Sequence, residues 1–305
     1  MTSGTLPSAP FGRVLTAMVT AFHDDGSVDL ESTARVAEHL ADHGHDGVVV
    51  SGTTGESPTT TTQEDGRILR AVIEAVGDRI KVVAGVGTND TAHSVELAQQ
   101  AEKVGADGVL LVSPYYSKPT QQGVAAHFEA VAAASGLPVM LYDIPGRTGI
   151  TIEADTYRRI AENDRFVAVK DAVGDLFRGV RIMQETGLAF YSGDDVLNLG
   201  WLTHGGCGIV SVVGHVAGDQ YAAMVKAVDA GDLAAALSTY RALAPVVETI
   251  MTRAPGVMTA KAALQLLGVL PNRNVRLPLV PADDALVADL RAVLTRAGLL
   301  EDTTL

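Results

Sequence analysis

The chain has 305 residues, 47% of them hydrophobic and only 12 prolines, a composition that supplies a large buried core and argues against dominant disorder. Its formal net charge of -13 argues against nucleic acid or an anionic membrane as partner, because either needs a clustered basic patch and no Lys/Arg cluster occurs. One cysteine, Cys207, excludes an intrachain disulfide and a Cys-based zinc site, so nothing signals an oxidising compartment and the cytoplasm is expected.

In chain order, residues 1–12 mix Ser, Pro and Gly without an apolar h-region, and no later segment holds an uninterrupted apolar run of bilayer length. Neither secretion nor membrane spanning is expected. Runs rich in Val, Ile, Leu and Ala then recur at residues 14–19, 47–50, 81–86, 108–112, 138–142, 166–170, 188–191 and 208–213. Segments of helical period, such as 30–43 and 92–104, lie between them, so the pattern reads strand, helix, strand, helix. Strands apolar on both faces, joined by helical crossovers, imply a parallel sheet covered on each side. Eight regularly spaced units, and no GxGxxG turn after the first strand, favour a closed α/β barrel of the (β/α)8 TIM type over an open sheet. The eighth helix is expected near 218–230. Three further helical stretches, 232–252, 257–267 and 283–296, have no strands between them. The expected organisation is therefore a catalytic barrel over 1–231 and a C-terminal helical unit over 232–305.

Repeated phrases such as Asp42-His43-Gly44-His45-Asp46-Gly47 and Val104-Gly105-Ala106-Asp107-Gly108 carry a helix end, a Gly stop and a strand start. They read as turn chemistry.

A barrel of this type places its functional groups at the carboxyl ends of the strands. The residues there are polar: Ser51-Gly52-Thr53-Thr54-Gly55-Glu56-Ser57 after the second run, Ser113-Pro114-Tyr115-Tyr116 after the fourth, and Tyr142-Asp143-Ile144-Pro145-Gly146-Arg147-Thr148-Gly149 after the fifth. The sixth run closes on Lys170-Asp171, and the seventh is followed by Ser192-Gly193-Asp194-Asp195. Of the six lysines, Lys81 begins a strand on the opposite face, Lys103, Lys226 and Lys261 fall on predicted helices, and Lys118 lies in a loop. Lys170 alone ends an apolar strand. An amine held there is partly desolvated, which disfavours its charged form and makes it nucleophilic toward a ketone. The competing reading is a structural lysine paired to Asp171 or another carboxylate.

The Gly52-Thr53-Thr54-Gly55-Glu56 turn offers successive backbone N–H groups that suit a carboxylate or phosphate; the alternative is an ordinary Gly-rich loop. Arg147 follows a rigid Pro145-Gly146 turn, which suits bidentate contact with a carboxylate, whereas a lone loop arginine is more often merely solvated. Tyr142 and Tyr116 end the fifth and fourth strands, where a phenol near an imine can pass protons through neighbouring hydroxyls, or simply pack. The 8 histidines show no HExxH pair, and the one HxH pair, His43-Gly44-His45, lies in a phrase that reads as turn chemistry, so no metal site is expected.

Together, Gly52-Thr53-Thr54-Gly55-Glu56-Ser57, the Tyr142 to Gly149 motif and Val169-Lys170-Asp171 closely resemble the dihydrodipicolinate synthase family, now called 4-hydroxy-tetrahydrodipicolinate synthase, within the pyruvate-dependent class I aldolases. The likeness covers nearly the whole chain, and several motifs in the family's order are far more specific than any one of them. The resemblance implies a cofactor-free condensation of pyruvate with aspartate 4-semialdehyde on the way to diaminopimelate and lysine. It implies that Lys170 forms the imine and that Tyr142, Thr54 and Tyr116 relay protons, with Tyr116 supplied across a subunit interface. It further implies that Thr53 and Thr54 hold the pyruvate carboxylate, that Arg147 holds the semialdehyde carboxylate, and that Gly193 and Val210 line the pyruvate pocket through backbone groups. A homotetramer, a dimer of dimers, is the quaternary state it suggests.

Two departures stand out. Ala21 precedes Phe22 where the family usually has proline. Thr62 and His93 stand where lysine-inhibited members commonly place histidine and an acidic side chain, so weak or absent lysine feedback is expected. Two other readings stay open. One is a sister aldolase of the N-acetylneuraminate lyase or keto-deoxy sugar acid type, which Arg147 argues against, since a sugar acceptor calls for hydroxyl-reading side chains. The other is a non-catalytic ligand-binding paralogue.

Overall fold

The computed structural model describes residues 8–301; residues 1–7 and 302–305, which belong to the two units expected from the sequence, lie outside the described residues. The apolar runs form eight strands: Val14–Ala17 (β1), Gly47–Val50 (β2), Lys81–Gly85 (β3), Gly108–Val112 (β4), Val139–Asp143 (β5), Phe166–Asp171 (β6), Ala189–Ser192 (β7) and Gly208–Ser211 (β8). Each is parallel to the next and β8 is parallel to β1, closing the barrel in sequence order. The crossovers are helical: Leu30–Asp42 (α1), Thr62–Val76 (α2), Thr91–Val104 (α3), Gln121–Ala133 (α4), Pro145–Thr148 (α5), Ala154–Ile160 (α6), Leu176–Thr186 (α7) and Asn198–Thr203 (α8). After β8 come Gly214–Asp229 (α9), Leu233–Thr252 (α10), Gly256–Leu266 (α11) and Asp284–Arg296 (α12).

Local chemistry starts and stops these elements. Asp29, Asp90, Thr120 and Asp175 cap α1, α3, α4 and α7 with side-chain oxygens, and Thr61 with Glu64 forms a reciprocal capping box on α2, satisfying N–H groups that have no partner in the first turn. Gly105 ends α3 at φ +99°, a left-handed conformation that glycine adopts without steric cost. Strand side chains divide by alternation. Leu15, Ala17, Val49, Val83, Leu110, Met140, Tyr142, Ala168, Tyr191 and Val210 fill the barrel interior, while outward residues such as Val48, Val82, Leu111, Leu141 and Val169 pack under the helices. Each fully buried aliphatic side chain contributes about 1.5–3 kcal/mol.

Most strand ends fall within one residue of the sequence expectation, and two, those of β1 and β8, differ by two residues. β1 stops at Ala17 rather than residue 19: the Met18 N–H still donates to the Val49 carbonyl of β2 at 3.0 Å, but the Val19 N–H donates instead to His215 Nε2 at 3.1 Å. β8 stops at Ser211 rather than 213 because Val212 and Val213 N–H donate to Asp195 Oδ2 at 2.8 and 3.1 Å. The following helical segment opens at Gly214 but breaks at Ala217 (φ -129°, ψ 30°), so its regular stretch begins at the expected 218. Pro145-Gly146, read as a turn, opens the single helical turn α5.

The division expected between residues 231 and 232 falls at the turn where Asp232 caps α10. Side chains of α10, α11 and α12, including Leu243, Val246, Ile250, Ala262, Leu290 and Leu294, share one apolar cluster with Tyr221 and Met224 of α9, Val14 of β1 and Ile209 of β8. No helix among the described residues is long and apolar enough to cross a membrane.

Candidate active site

The carboxyl ends of the strands surround a cavity of about 560 Å³ lined by Thr53, Thr54, Tyr142, Arg147, Lys170 and Gly193, with Met251 and Thr252 of α10 on one side. Lys170 and Tyr142 face each other because β5 and β6 pair them directly in register, and Lys170 Nζ lies 4.2 Å from the centre of the Tyr142 ring. Lys170 is 5% exposed. Among the described residues no carboxylate lies within ion-pair distance of it, which disfavours the structural-lysine reading. Asp171, the suggested partner, points to the other face of the strand. Burial pulls the Lys170 pKa from 10.5 to about 8, Asp195 opposing and Arg147 assisting the fall. Burial pushes the Tyr142 phenol above its ordinary range, Arg147 opposing and Asp194 adding; Tyr142 is therefore a protonated donor at neutral pH.

Gly193 must be glycine here. A Cβ on it would stand 2.8 Å from Lys170 Cγ and 2.9 Å from the Asp171 carbonyl, inside van der Waals contact. Arg147 is held by α5, whose Arg147 and Thr148 N–H groups both donate to the Ile144 carbonyl at 3.0 Å. Val210 is 2% exposed and belongs to the interior layer with Tyr142 and Ala17; the cavity wall on that side is Val212.

Tyr116 stands apart from this group. It is 89% exposed, has φ +70° and lines an adjoining cavity of about 360 Å³ with Ser57, Pro58, Gly87, Val112 and Tyr115. That cavity shares Gly52, Thr53, Leu110, Tyr142, Ile144 and Arg147 with the first, so the two are continuous. Within one chain, then, Lys170, Tyr142, Thr53, Thr54, Arg147 and Gly193 converge on the first cavity, Tyr116 lines only the adjoining one, and Val210 lines neither.

Three sets of residues have partners that the sequence reading did not assign. Asp195, 2% exposed, accepts from Ser211 Oγ, from Asn198 Nδ2 and Tyr221 Oη at 3.0 Å each, and from the two N–H groups after β8; it fixes the β7 and β8 ends to each other. Asp143 and Asp171 lie side by side one residue beyond Tyr142 and Lys170. Asp143 accepts from Tyr157 Oη at 3.2 Å and Arg178 Nη2 at 3.3 Å, and Asp171 accepts from Val173 N–H at 3.0 Å and Gly174 N–H at 3.3 Å. Burial raises their pKa values to about 7 and about 6, with Arg178 opposing in both. This cluster braces the reactive strand ends from behind. Lastly, Lys261, set aside from sequence as a helix lysine, does lie on α11, but it is buried against Glu56, and burial lowers its pKa to about 8 while Glu56 opposes. An isolated Asp, Lys or Arg in the sequence carries no local sign of such distant partners.

An amine whose pKa burial lowers to about 8, in one cavity with a phenol, hydroxyls and a guanidinium, can act as a nucleophile toward a carbonyl. Among the described residues no group of three or more His, Cys, Asp or Glu is gathered as a metal site.

Comparison with known proteins agrees on one family. Residues 10–297 match the model of the "Dihydrodipicolinate synthetase family". The chain is 59% identical over 293 residues to the 4-hydroxy-tetrahydrodipicolinate synthase of Kineococcus radiotolerans, covering 96% of this chain and 95% of that one. It is 58% identical over 301 residues to the enzyme of the same name from Acidothermus cellulolyticus, covering 99% and 97%. Among solved structures it resembles the dihydrodipicolinate synthase of Cyanidioschyzon merolae crystallised with lysine bound, at TM-score 0.92 and 42% identity over 96% of this chain and 100% of that one. The chain belongs to the dihydrodipicolinate synthetase family.

Proposed function

We propose that the protein condenses pyruvate with L-aspartate 4-semialdehyde to 4-hydroxy-tetrahydrodipicolinate through a Schiff base on Lys170, the reaction named for its relatives in diaminopimelate and lysine biosynthesis. The observation that carries the reading is Lys170, without an ion-pair partner among the described residues and tending to neutrality in the wall of a cavity it shares with Thr53, Thr54, Tyr142 and Arg147. The neutral amine attacks the pyruvate C2 carbonyl. The carbinolamine loses water to give a protonated imine, and loss of a C3 proton gives the enamine. The enamine carbon attacks the aldehyde carbon of the semialdehyde, whose oxygen takes up a proton. The product's amino group then attacks the imine carbon, closing the ring and expelling the Lys170 amine.

In this scheme Thr53 and Thr54 hold the pyruvate carboxylate and Arg147 holds that of the semialdehyde, with charge-assisted bonds fixing each orientation. Tyr142, Thr54 and Tyr116 form the proton relay. Tyr142 alone is a poor base because burial holds its proton, so a relay needs a partner that returns the charge to solvent. Tyr116, projecting 89% exposed from its own chain, supplies that partner to a neighbouring subunit's site, which makes the working unit at least a dimer and, as in the expected homotetramer, a dimer of dimers. Gly193 offers its backbone to the pyruvate, and Val210 closes the floor below. A cytoplasmic location suits the single buried Cys207 and a biosynthetic role.

Acceptor specificity is the test. With pyruvate present, aspartate 4-semialdehyde is expected to give the cyclic product, while N-acetylmannosamine and short sugar aldehydes give none. Turnover with a sugar acceptor and not with the semialdehyde would favour the sister aldolases instead.

A further inference from the structure

Helix α11, outside the barrel, sends one lysine back to the rim. Lys261 is 1% exposed. Its Nζ donates to Glu56 Oε1 at 2.5 Å and to the Asn274 carbonyl at 2.7 Å, 4.3 Å from the centre of the Phe22 ring. Glu56 Oε2 accepts from the Arg276 N–H at 2.9 Å. The Arg276 guanidinium in turn donates to the Thr59 carbonyl at 2.7 Å, to Glu64 at 2.6 and 3.0 Å, and to the Gly26 carbonyl at 2.9 Å. Asn272 donates to the Phe22 carbonyl at 3.2 Å, and Asn274 to Asp24 at 2.8 Å. Residues 261–276 thus grip both the loop after β1 and the loop after β2.

The second of these loops carries Thr53 and Thr54. Glu56 sits in it at φ +61°, buried, a left-handed conformation that a non-glycine residue keeps only when its surroundings hold it there. Its N–H donates to the Thr53 carbonyl at 3.1 Å, the Ser57 N–H to the Gly52 carbonyl at 3.2 Å, and Thr20 Oγ1 to the Gly55 carbonyl at 2.8 Å. Fixing the Glu56 side chain therefore fixes the peptide planes of residues 52–56. A buried ion pair is a weak device for stability, since apolar residues of similar volume serve as well or better, and geometry is the better-attested use.

We propose that Lys261 and Glu56 are positioning residues for the substrate loop: the C-terminal helices set the conformation in which Thr53 and Thr54 receive the keto acid's carboxylate. Neither residue touches substrate, and the inference rests on the reading of Thr53 and Thr54 given above.

The double variant K261M/E56Q of the full chain tests it, because removing both charges strands neither ion in the interior. Folding is followed by circular dichroism and Tm, and pyruvate half-saturation by borohydride trapping of the imine. Half-saturation is expected to rise about tenfold or more, as misplacement of a binding loop does, while imine trapped at saturating pyruvate stays near the parent amount. T53V and T54V are measured alongside. If these leave half-saturation unchanged, the threonine reading fails. If they raise it and the folded double variant does not, the positioning proposal alone is overturned. A uniform loss at all pyruvate concentrations also overturns it, because that marks general damage rather than a displaced loop. Should the double variant not fold, E56D, which keeps both charges and shortens the side chain that holds the loop, takes its place. Faster hydrogen exchange confined to amides 52–56 with weaker half-saturation supports the proposal, and unchanged values of both refute it.

Discussion

The pH dependence of imine formation follows directly from the setting of Lys170. Burial lowers its pKa from 10.5 to about 8, which raises the neutral fraction at pH 7 about 300-fold, equivalent to about 3 kcal/mol of ground-state cost to the ammonium form. Only the neutral amine attacks the ketone, so the rate of imine formation with pyruvate alone is expected to rise about tenfold per pH unit below about 8 and to level off above it. Rapid quenching into borohydride, with intact-mass detection, measures that rate without involving the second substrate. The Arg147 guanidinium helps hold the amine down; R147Q is therefore expected to shift the midpoint upward. A midpoint near 10.5, or a profile flat through pH 8, would refute the reasoning, because the amine would then be neither desolvated nor limiting.

Further consequences are measurable. K170M is expected to stabilise the fold by up to about 3 kcal/mol at pH 7. The sign follows from linkage: between pH 8 and 10.5 the unfolded chain holds a proton at Lys170 that the folded chain has lost, so parent stability rises with pH across that window, and the advantage of K170M fades to nothing above it. Denaturant titrations at pH 7 and above 10.5 check it. G193A, whose new Cβ meets Lys170 Cγ at 2.8 Å, is expected to slow imine formation about 100-fold while costing about 1–3 kcal/mol of stability; an unchanged trapping rate would show that the lysine has room to spare. R147L is expected to raise half-saturation for the semialdehyde about 10- to 100-fold, the loss of charge-assisted hydrogen bonds, and to leave pyruvate half-saturation within a few-fold. Lysine at sub-millimolar concentration is expected to leave turnover unchanged, since Thr62 and His93, bonded to each other at 3.1 Å, present no carboxylate to its amine; inhibition in that range would contradict this.

Much of the fold was legible because most strands are short apolar runs buried on both faces, as β1, β2 and β5 are throughout, separated by helices several of which open on capping Asp or Thr residues that are local signals. The rim was legible for the same reason: Thr53, Thr54, Tyr142, Arg147, Lys170 and Gly193 each follow an apolar run, and barrel geometry brings such positions together. The errors lie where distant side chains take over the backbone. His215 captures the N–H of Val19, and Asp195 those of Val212 and Val213, shortening β1 and β8 in ways no window of sequence reveals. Lys261 was placed on a helix, as it is, but helical periodicity does not report what the helix meets; its partner Glu56 is 205 residues away. Tyr116 shows the same limit from outside. Its neighbours Tyr115 and Ser117 mark a strand end, but nothing in the local pattern tells an exposed tyrosine that is merely solvated from one that completes another subunit's site.

Trapping the covalent adduct tests the chemistry most directly. Incubation with pyruvate and borohydride, then digestion and peptide mass spectrometry, is expected to place a reductively attached pyruvate on Lys170 and on no other lysine. A chain that stays unmodified, or that carries the label on the equally buried Lys261, would contradict the assignment of Lys170 as the nucleophile.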